Sequence, residues 1–170
     1  MDYLTQRKEK TLTKTKTAYL ANSWFNDEQN AFREAGMSAI KKNKTLDWEN
    51  SYRPIEHQFR GLNTMEHPEL LSDSLWQVAT WNGDITAVEN ADITIGLYDP
   101  KPENSDVGVI YEIAYAKAIR KPVYLVLPDD CKESLNLMPA IGVTRVLHLK
   151  DLATFNFNDY SYELTDLEVY

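Results

Sequence analysis

From Ile93 to Tyr98 the chain is apolar at almost every position, with Thr94 as the polar interruption, and after a polar gap a second pattern begins at Asp106. There the apolar residues Val109, Ile110, Ile113, Ala116 and Ile119 recur at helical spacing. A continuous apolar run of this length predicts a strand buried on both faces, and the second spacing predicts an amphipathic helix with Asp106 as its N-cap. Asp99 to Ser105, with two prolines and no apolar residue, is the turn cluster between them. The same two signatures recur along the chain. Thr17 to Leu20, Leu46 to Glu49, Pro122 to Leu127 and Val143 to Leu149 read as strands. A helix capped by Asn26 runs through Phe32, Ala35 and Ile40, with Asp27 and Glu28 suited to its first turn. Pro68 to Glu89 reads as one long helix with Leu71, Leu75, Trp76, Val78, Ala79, Ile85 and Val88 on or near its buried side. Leu135 to Met138 starts a short helical or irregular piece. Strands and helices alternate throughout, which predicts an α/β fold: a flavodoxin-like or Rossmann-like doubly wound sheet of about five parallel strands in a single domain.

Two stretches resist this scheme. Asn50 to Glu69 is polar and aromatic without periodicity, and a connection of that length in a compact domain is a candidate lid or binding loop, or else an ordered excursion packed by Tyr52 and Phe59. Asn82-Gly83 lies inside the long helical pattern, although Asn-Gly is a turn signal and glycine costs a helix about 1 kcal/mol against alanine. That local conflict singles out the adjacent Asp84. Residues 1–16 are rich in Lys and Thr without periodicity and read as a loosely attached leader to a domain over 17–170.

Composition narrows the function classes. A formal net charge of −8, with no arginine cluster or basic face to offset it, argues against nucleic acid polymers as partners. The single cysteine, Cys131, permits neither an internal disulfide nor a cysteine zinc cluster, and is simplest to place in a reducing, cytoplasmic setting. No window approaches 18 consecutive apolar residues and no hydrophobic region follows the basic start, so neither a membrane span nor a signal peptide is expected. There is no GxGxxG or GxxxxGK[ST] phosphate cradle, and the three histidines, His57, His67 and His148, lack metal-ligand spacing, so no cofactor and no metal are expected.

In a doubly wound sheet ligands bind beyond the carboxyl ends of the strands. The polar residues placed there are Tyr19, Asn22, Gln58, Asp99, Asp106, Glu112 and Asn136. Glu112 is the odd one, because its helical neighbours are Gly108, Val109, Tyr115 and Ala116 and it sits on no charged face. Carboxylates in an apolar pocket suit glycosyl transfer, where one stabilises or captures a cationic anomeric centre and another handles the leaving group's proton. On pattern alone the catalytic reading of Glu112 is outweighed by a helix glutamate paired with a tyrosine hydroxyl, and Asp106 reads as a plain N-cap and Asp84 as a solvated side chain.

Seven short motifs stand in order: ENSYRP (49–54), EHPE (66–69), TWNGD (80–84), Asp106-Val107-Gly108 with Glu112 four positions on, NLM (136–138), FNFN (155–158) and a terminal Val169-Tyr170. With this set, from about Lys16 to the last residue, the chain resembles the nucleoside 2-deoxyribosyltransferases, and is nearer to the broad purine and pyrimidine class (type II). The resemblance implies transfer of a 2-deoxyribosyl group between nucleobases through a covalent glutamyl intermediate with retention and without a cofactor, with 2'-deoxynucleosides and free nucleobases as partners. It implies Glu112 as nucleophile, Tyr19 orienting it, Asp84 serving the base's proton transfer, and Gln58 near the base. It further implies Asp106 and Asn136 on the sugar hydroxyls, Tyr170 closing the base side, and Asn136 and Met138 reaching into a neighbouring subunit's site. A homo-oligomer, hexamer or dimer, with shared sites follows. Where that pattern has a glycine-bearing turn after the first strand, this chain has Leu20-Ala21-Asn22-Ser23, which puts side chains, Asn22 among them, where the base edge is expected; the loop 99–105 and the leader are also longer. Two other readings keep the site but change its use: an N-glycoside hydrolase of nucleosides or nucleotides, and a non-catalytic nucleoside-binding module.

Overall fold

The apolar runs that bury both faces form the centre of a parallel sheet. The computed structural model describes residues 15–170, so most of the leader lies outside the described residues. Strands β1 (Ala18–Ala21), β2 (Ile93–Leu97), β3 (Val123–Leu127) and β4 (Arg145–His148) pair in parallel in that order. Every residue of the first three is buried. The sheet has four strands where about five are expected, and the difference lies at the β1 edge. The segment read as a strand over Leu46 to Glu49 meets the β1 edge at a single isolated bridge, Lys16 to Leu46, and the next bridge to that edge joins Tyr19 to Tyr52. Between the two bridges the chain turns, because local side chains compete for the backbone: Asn50 N–H donates to Asp47 Oδ1 at 3.2 Å and Ser51 Oγ to the Asp47 carbonyl at 2.6 Å.

Alternation of side chains across the pleat gives the sheet two cores. Tyr19, Ala21 and Leu125 face one side, and Ala18, Leu20 and Tyr124 face the other. Helix α1 (Asp27–Lys42), capped by Asn26, covers the second side with Leu152 and Phe157. The first side carries α2 (Ser74–Asn90), α3 (Val107–Ala118) and the short α4 (Leu137–Gly142). The single helix expected over Pro68 to Glu89 is divided: Pro68–Ser72 is a 3₁₀ turn, and Asp73 caps a fresh start by accepting from Leu75 N–H at 2.8 Å. Its expected buried side is also corrected, because only Ile85 and Val88 of α2 are buried while Leu71, Leu75 and Val78 are exposed. Asn82-Gly83 does not break the helix.

Gly96 sets the height of α3 above the sheet. A Cβ there would lie 2.8 Å from Ile113 Cγ2 and 3.3 Å from Val109 Cγ1, so glycine lets the helix sit directly on β2. The excursion after Tyr52 is ordered by 3₁₀ turns at Pro54–Glu56 and Phe59–Gly61. The chain end returns to α4: Val169 bridges Leu135, and Leu137 N–H donates to the Tyr170 carbonyl at 2.9 Å. Among the described residues no helix is long and apolar enough to cross a membrane.

Candidate active site

Beyond the carboxyl ends of β1 and β2, three carboxylates are placed by two helices, Glu112 and the cap Asp106 by α3 and Asp84 by α2. Glu112 is on the second turn of α3, facing the sheet, where the hydroxyl of Tyr19 from β1 donates to its Oε1 at 2.7 Å. Tyr19 has no exposed surface, so the whole ring is core and only its hydroxyl serves the site. Burial pushes the Glu112 carboxyl up to about 8; the Tyr19 hydrogen bond opposes this, while the negative charges of Asp84 and Asp106 reinforce it. Burial and the nearby Glu112 and Asp84 drive the Tyr19 hydroxyl far above its ordinary value, which keeps it a proton donor to Glu112. Asp84 projects from α2 and is raised by burial to about 6. Asp106 caps α3, its Oδ1 accepting from Gly108 N–H at 2.7 Å, while its Oδ2 accepts from the Ser23 hydroxyl at 2.7 Å.

A cleft opens beside this cluster between α2 and the excursion. Tyr52, His57, Gln58, Phe59, Gly83 and Asp84 are among its walls, and its cavity volume is about 130 Å³. Tyr52 stacks on Tyr19 with ring centroids 5.7 Å apart, and His57 stacks on the other side of Tyr52 at 4.2 Å, so a continuous aromatic column leads from the core to the rim. A planar heterocycle has faces to stack on here and a half-buried carboxyl, Asp84, at its edge. Gly83 lies beside the cleft, and a Cβ there would meet the Tyr52 hydroxyl at 3.7 Å, an ordinary contact, so nothing in the surroundings demands glycine. Gln58 is held at the wall by its amide donating to the Pro54 carbonyl at 2.8 Å.

The structure thus brings together Tyr19, Glu112, Asp84, Asp106 and Gln58. Asn22 takes a different position. It is buried, its amide donates to the Leu20 carbonyl at 2.6 Å, and it lines a small pocket with Gln29, Asp99 and Asn104 on the α1 side. Asn136, Met138 and Tyr170 form a second group. Asn136 caps α4 by accepting from Met138 N–H at 3.0 Å, and all three side chains are exposed, Met138 by 75% and Tyr170 by 73%. None of them hydrogen-bonds to the carboxylate cluster within the described chain. Sequence reasoning missed Tyr52 and Ser23 as site residues, and weighed His57 only as a metal ligand. Tyr52 carried a signal, an aromatic next to Arg-Pro in the long excursion; Ser23 carried none beyond its place in a turn. Among the described residues no group of three His, Cys, Asp or Glu side chains is arranged to hold a metal ion.

The family model described as nucleoside 2-deoxyribosyltransferase matches residues 18–143. Nucleoside deoxyribosyltransferase of Lactobacillus johnsonii is 42% identical over 148 residues, covering 86% of this chain and 98% of the relative. The enzyme of the same name from Lactobacillus leichmannii is 40% identical over 156 residues, covering 91% and 98%. In fold, the chain is similar to the solved 2-deoxyribosyltransferase of Bacillus psychrosaccharolyticus, with a TM-score of 0.71 at 20% identity over 88% of this chain and 98% of that one.

Proposed function

The chain belongs to the nucleoside 2-deoxyribosyltransferase family and is a pentosyltransferase that moves a 2-deoxyribosyl group between nucleobases, and we propose that the transfer runs through an ester on Glu112. One observation carries this reading: a largely desolvated carboxylate, held at 2.7 Å by the hydroxyl of a fully buried tyrosine, stands in one cluster with a second carboxyl at the mouth of an aromatic cleft.

In the first half-reaction an ionised Glu112 oxygen forms a bond to the anomeric carbon while the glycosidic C–N bond breaks, and its electron pair leaves on the base nitrogen. Asp84, raised into the range where it exchanges a proton near neutrality, donates that proton to the departing base. In the second half-reaction an acceptor base nitrogen attacks the same carbon, the ester C–O bond breaks back to Glu112, and Asp84 takes up the acceptor's proton. Two inversions at one carbon give retention. The developing positive charge of the sugar favours the ionised form of Glu112 when it is most needed. Tyr19 donates to the same carboxylate and fixes which oxygen faces the sugar. Tyr52, His57 and Gln58 border the base, and Asp106 accepts from a sugar hydroxyl.

Asn136, Met138 and Tyr170 act between subunits in this reading. Apolar surface supports it: Met138 lines an apolar groove between α3 and α4, Val107, Tyr111, Leu137 and Ile141 are exposed on the same two helices, and a second exposed set, Leu75, Val78 and Trp81, lies on α2. Two separate apolar faces favour a hexamer built from dimers over a lone dimer. The enzyme works in the cytoplasm in nucleotide salvage, with the domain over 17–170 following a leader, and accepts both purines and pyrimidines.

The test is incubation with 2'-deoxyinosine and free adenine, followed by chromatography, with intact-protein mass measured after quenching. New 2'-deoxyadenosine and a mass gain of one deoxyribosyl group mapping to Glu112 are expected. Hypoxanthine with free deoxyribose and no exchanged nucleoside would make the enzyme a hydrolase, and an adduct on another residue would remove Glu112 from its role.

A further inference from the structure

We propose that Ser23 is a positioning residue for Asp106, and through it a determinant of which sugars the site accepts. The proposal rests on Asp106 being the acceptor of a sugar hydroxyl.

Ser23 lies just past the end of β1, is 7% exposed, and donates its hydroxyl proton to Asp106 Oδ2 at 2.7 Å. The other oxygen, Oδ1, is held at 2.7 Å by Gly108 N–H in the first turn of α3. The two oxygens of one carboxylate are therefore tied to two different elements, the turn after β1 and the start of the helix that carries Glu112. A cap alone would leave the carboxylate free to swing about its Cβ–Cγ bond; two donors, one per oxygen, fix its plane. An ionised carboxylate has about four acceptor positions and no proton to give. With two occupied, those that remain point in set directions and can be satisfied only by a donor. A sugar hydroxyl in the right place is such a donor. A sugar lacking it leaves a fixed, partly desolvated acceptor unmatched, which is how sites built around a hydroxyl reject its deoxy analogue.

The position of the helix start does not depend on Ser23. The preceding loop is fastened independently, by Asn104 donating to Asp99 Oδ2 at 2.7 Å, Gln29 to the Asn104 carbonyl at 2.9 Å, and Asn26 to Asn104 Oδ1 at 3.1 Å. Loss of the Ser23 hydroxyl thus frees the carboxylate without freeing the loop, and separates orientation from folding.

The experiment is steady-state kinetics of the full chain and of Ser23→Ala, Ser23→Thr and Asp106→Ala, with adenine as acceptor and 2'-deoxyinosine, 2',3'-dideoxyinosine or 2',5'-dideoxyinosine as donor. Ser23→Ala is expected to raise KM for 2'-deoxyinosine about tenfold, the worth of one hydrogen bond to a charged group, with kcat little changed. For the dideoxy donor that lacks the hydroxyl Asp106 reads, Ser23→Ala changes nothing, and Ser23→Thr, which keeps the hydroxyl, restores the parent KM. An equal effect of Ser23→Ala on all three donors, or none on any, overturns the proposal while Asp106→Ala still discriminates among them. If Asp106→Ala itself does not discriminate, Asp106 is not the sugar ligand, and both the underlying reading and the proposal fall.

Discussion

Helices α2 and α3 look alike in sequence, each an apolar helix with one acidic residue out of place, and the fold uses them in opposite ways. On α3, Val109, Ile113 and Ala116 are buried against the sheet, and Glu112 is carried inward with them. On α2 only Ile85 and Val88 are buried, with Leu75, Val78 and Trp81 exposed, yet Asp84 still reaches the cleft. Glu112 is therefore fixed by the core, and its charge is controlled by burial. Asp84 rides on a helix whose other apolar face is open, so its surroundings include whatever covers that face.

The largest effect that tests this contrast falls on the core-fixed acid. Glu112→Gln should lower kcat by roughly 10³-fold or more, read by the base-exchange assay. Its stability should move the other way. The folded protein holds the Glu112 proton up to about pH 8 against an ordinary value of 4.5, so the parent binds more protons folded than unfolded and loses stability as pH rises between the two. Glutamine has no such loss, and Tm of the variant relative to the parent should increase from pH 5 to pH 8.5; an unchanged difference would mean that Glu112 is not buried as described.

The next effect falls on the acid of the open helix. With Glu112 needed ionised and Asp84 needed protonated, kcat/KM should be bell-shaped with limbs near 6 and 8. Asp84→Asn should lower kcat/KM about 100-fold and abolish the alkaline limb. The single limb that remains then reports Glu112 alone and should break between about 6 and 8, above the parent's acid limb, and below 8 because a negative charge that raises Glu112 has also gone. Retention of both limbs would transfer the acid role elsewhere.

A smaller effect asks what covers α2. Val78→Asp puts a charge on a side chain 58% exposed in the single chain, so it should lower the mass in solution, read by light scattering, where α2 packs on another subunit as proposed, and leave both mass and Tm unchanged where it does not. An unchanged mass in solution would leave that face open to solvent.

The smallest effects are the sharpest pair. Gly83→Ala on α2 meets only the Tyr52 hydroxyl at 3.7 Å and should stabilise by about 0.5–1 kcal/mol through helix propensity. Gly96→Ala beneath α3 would press on Ile113 at 2.8 Å and should cost about 1–3 kcal/mol, with kcat falling as Glu112 is displaced. Chemical denaturation reads both.

The same contrast separates what was legible in the sequence from what was not. β2, α3 and the Asp106 cap could be read because each depends on neighbours within a few residues, whereas Glu112 stood out locally only as an acid on an uncharged helix face, and its pairing with Tyr19, 93 residues away, came from the resemblance. The strand over Leu46 to Glu49 was misread because Asp47, Asn50 and Ser51 bond their own backbone, a competition that an apolar count does not register. The apolar face of α2 was misplaced because periodicity says which residues share a face and not what that face meets. Ser23 was invisible because its partner lies 83 residues away.

The aromatic column is built unevenly, and that bears on redesign. Its inner ring, Tyr19, belongs to the core, whereas Tyr52, His57, Gln58 and Phe59 come from an excursion that joins the sheet edge at the Tyr52 bridge. On the proposed roles, libraries over residues 57–59 vary the base side of the cleft on a segment outside the sheet, while the sugar side stays anchored in β1 and α3.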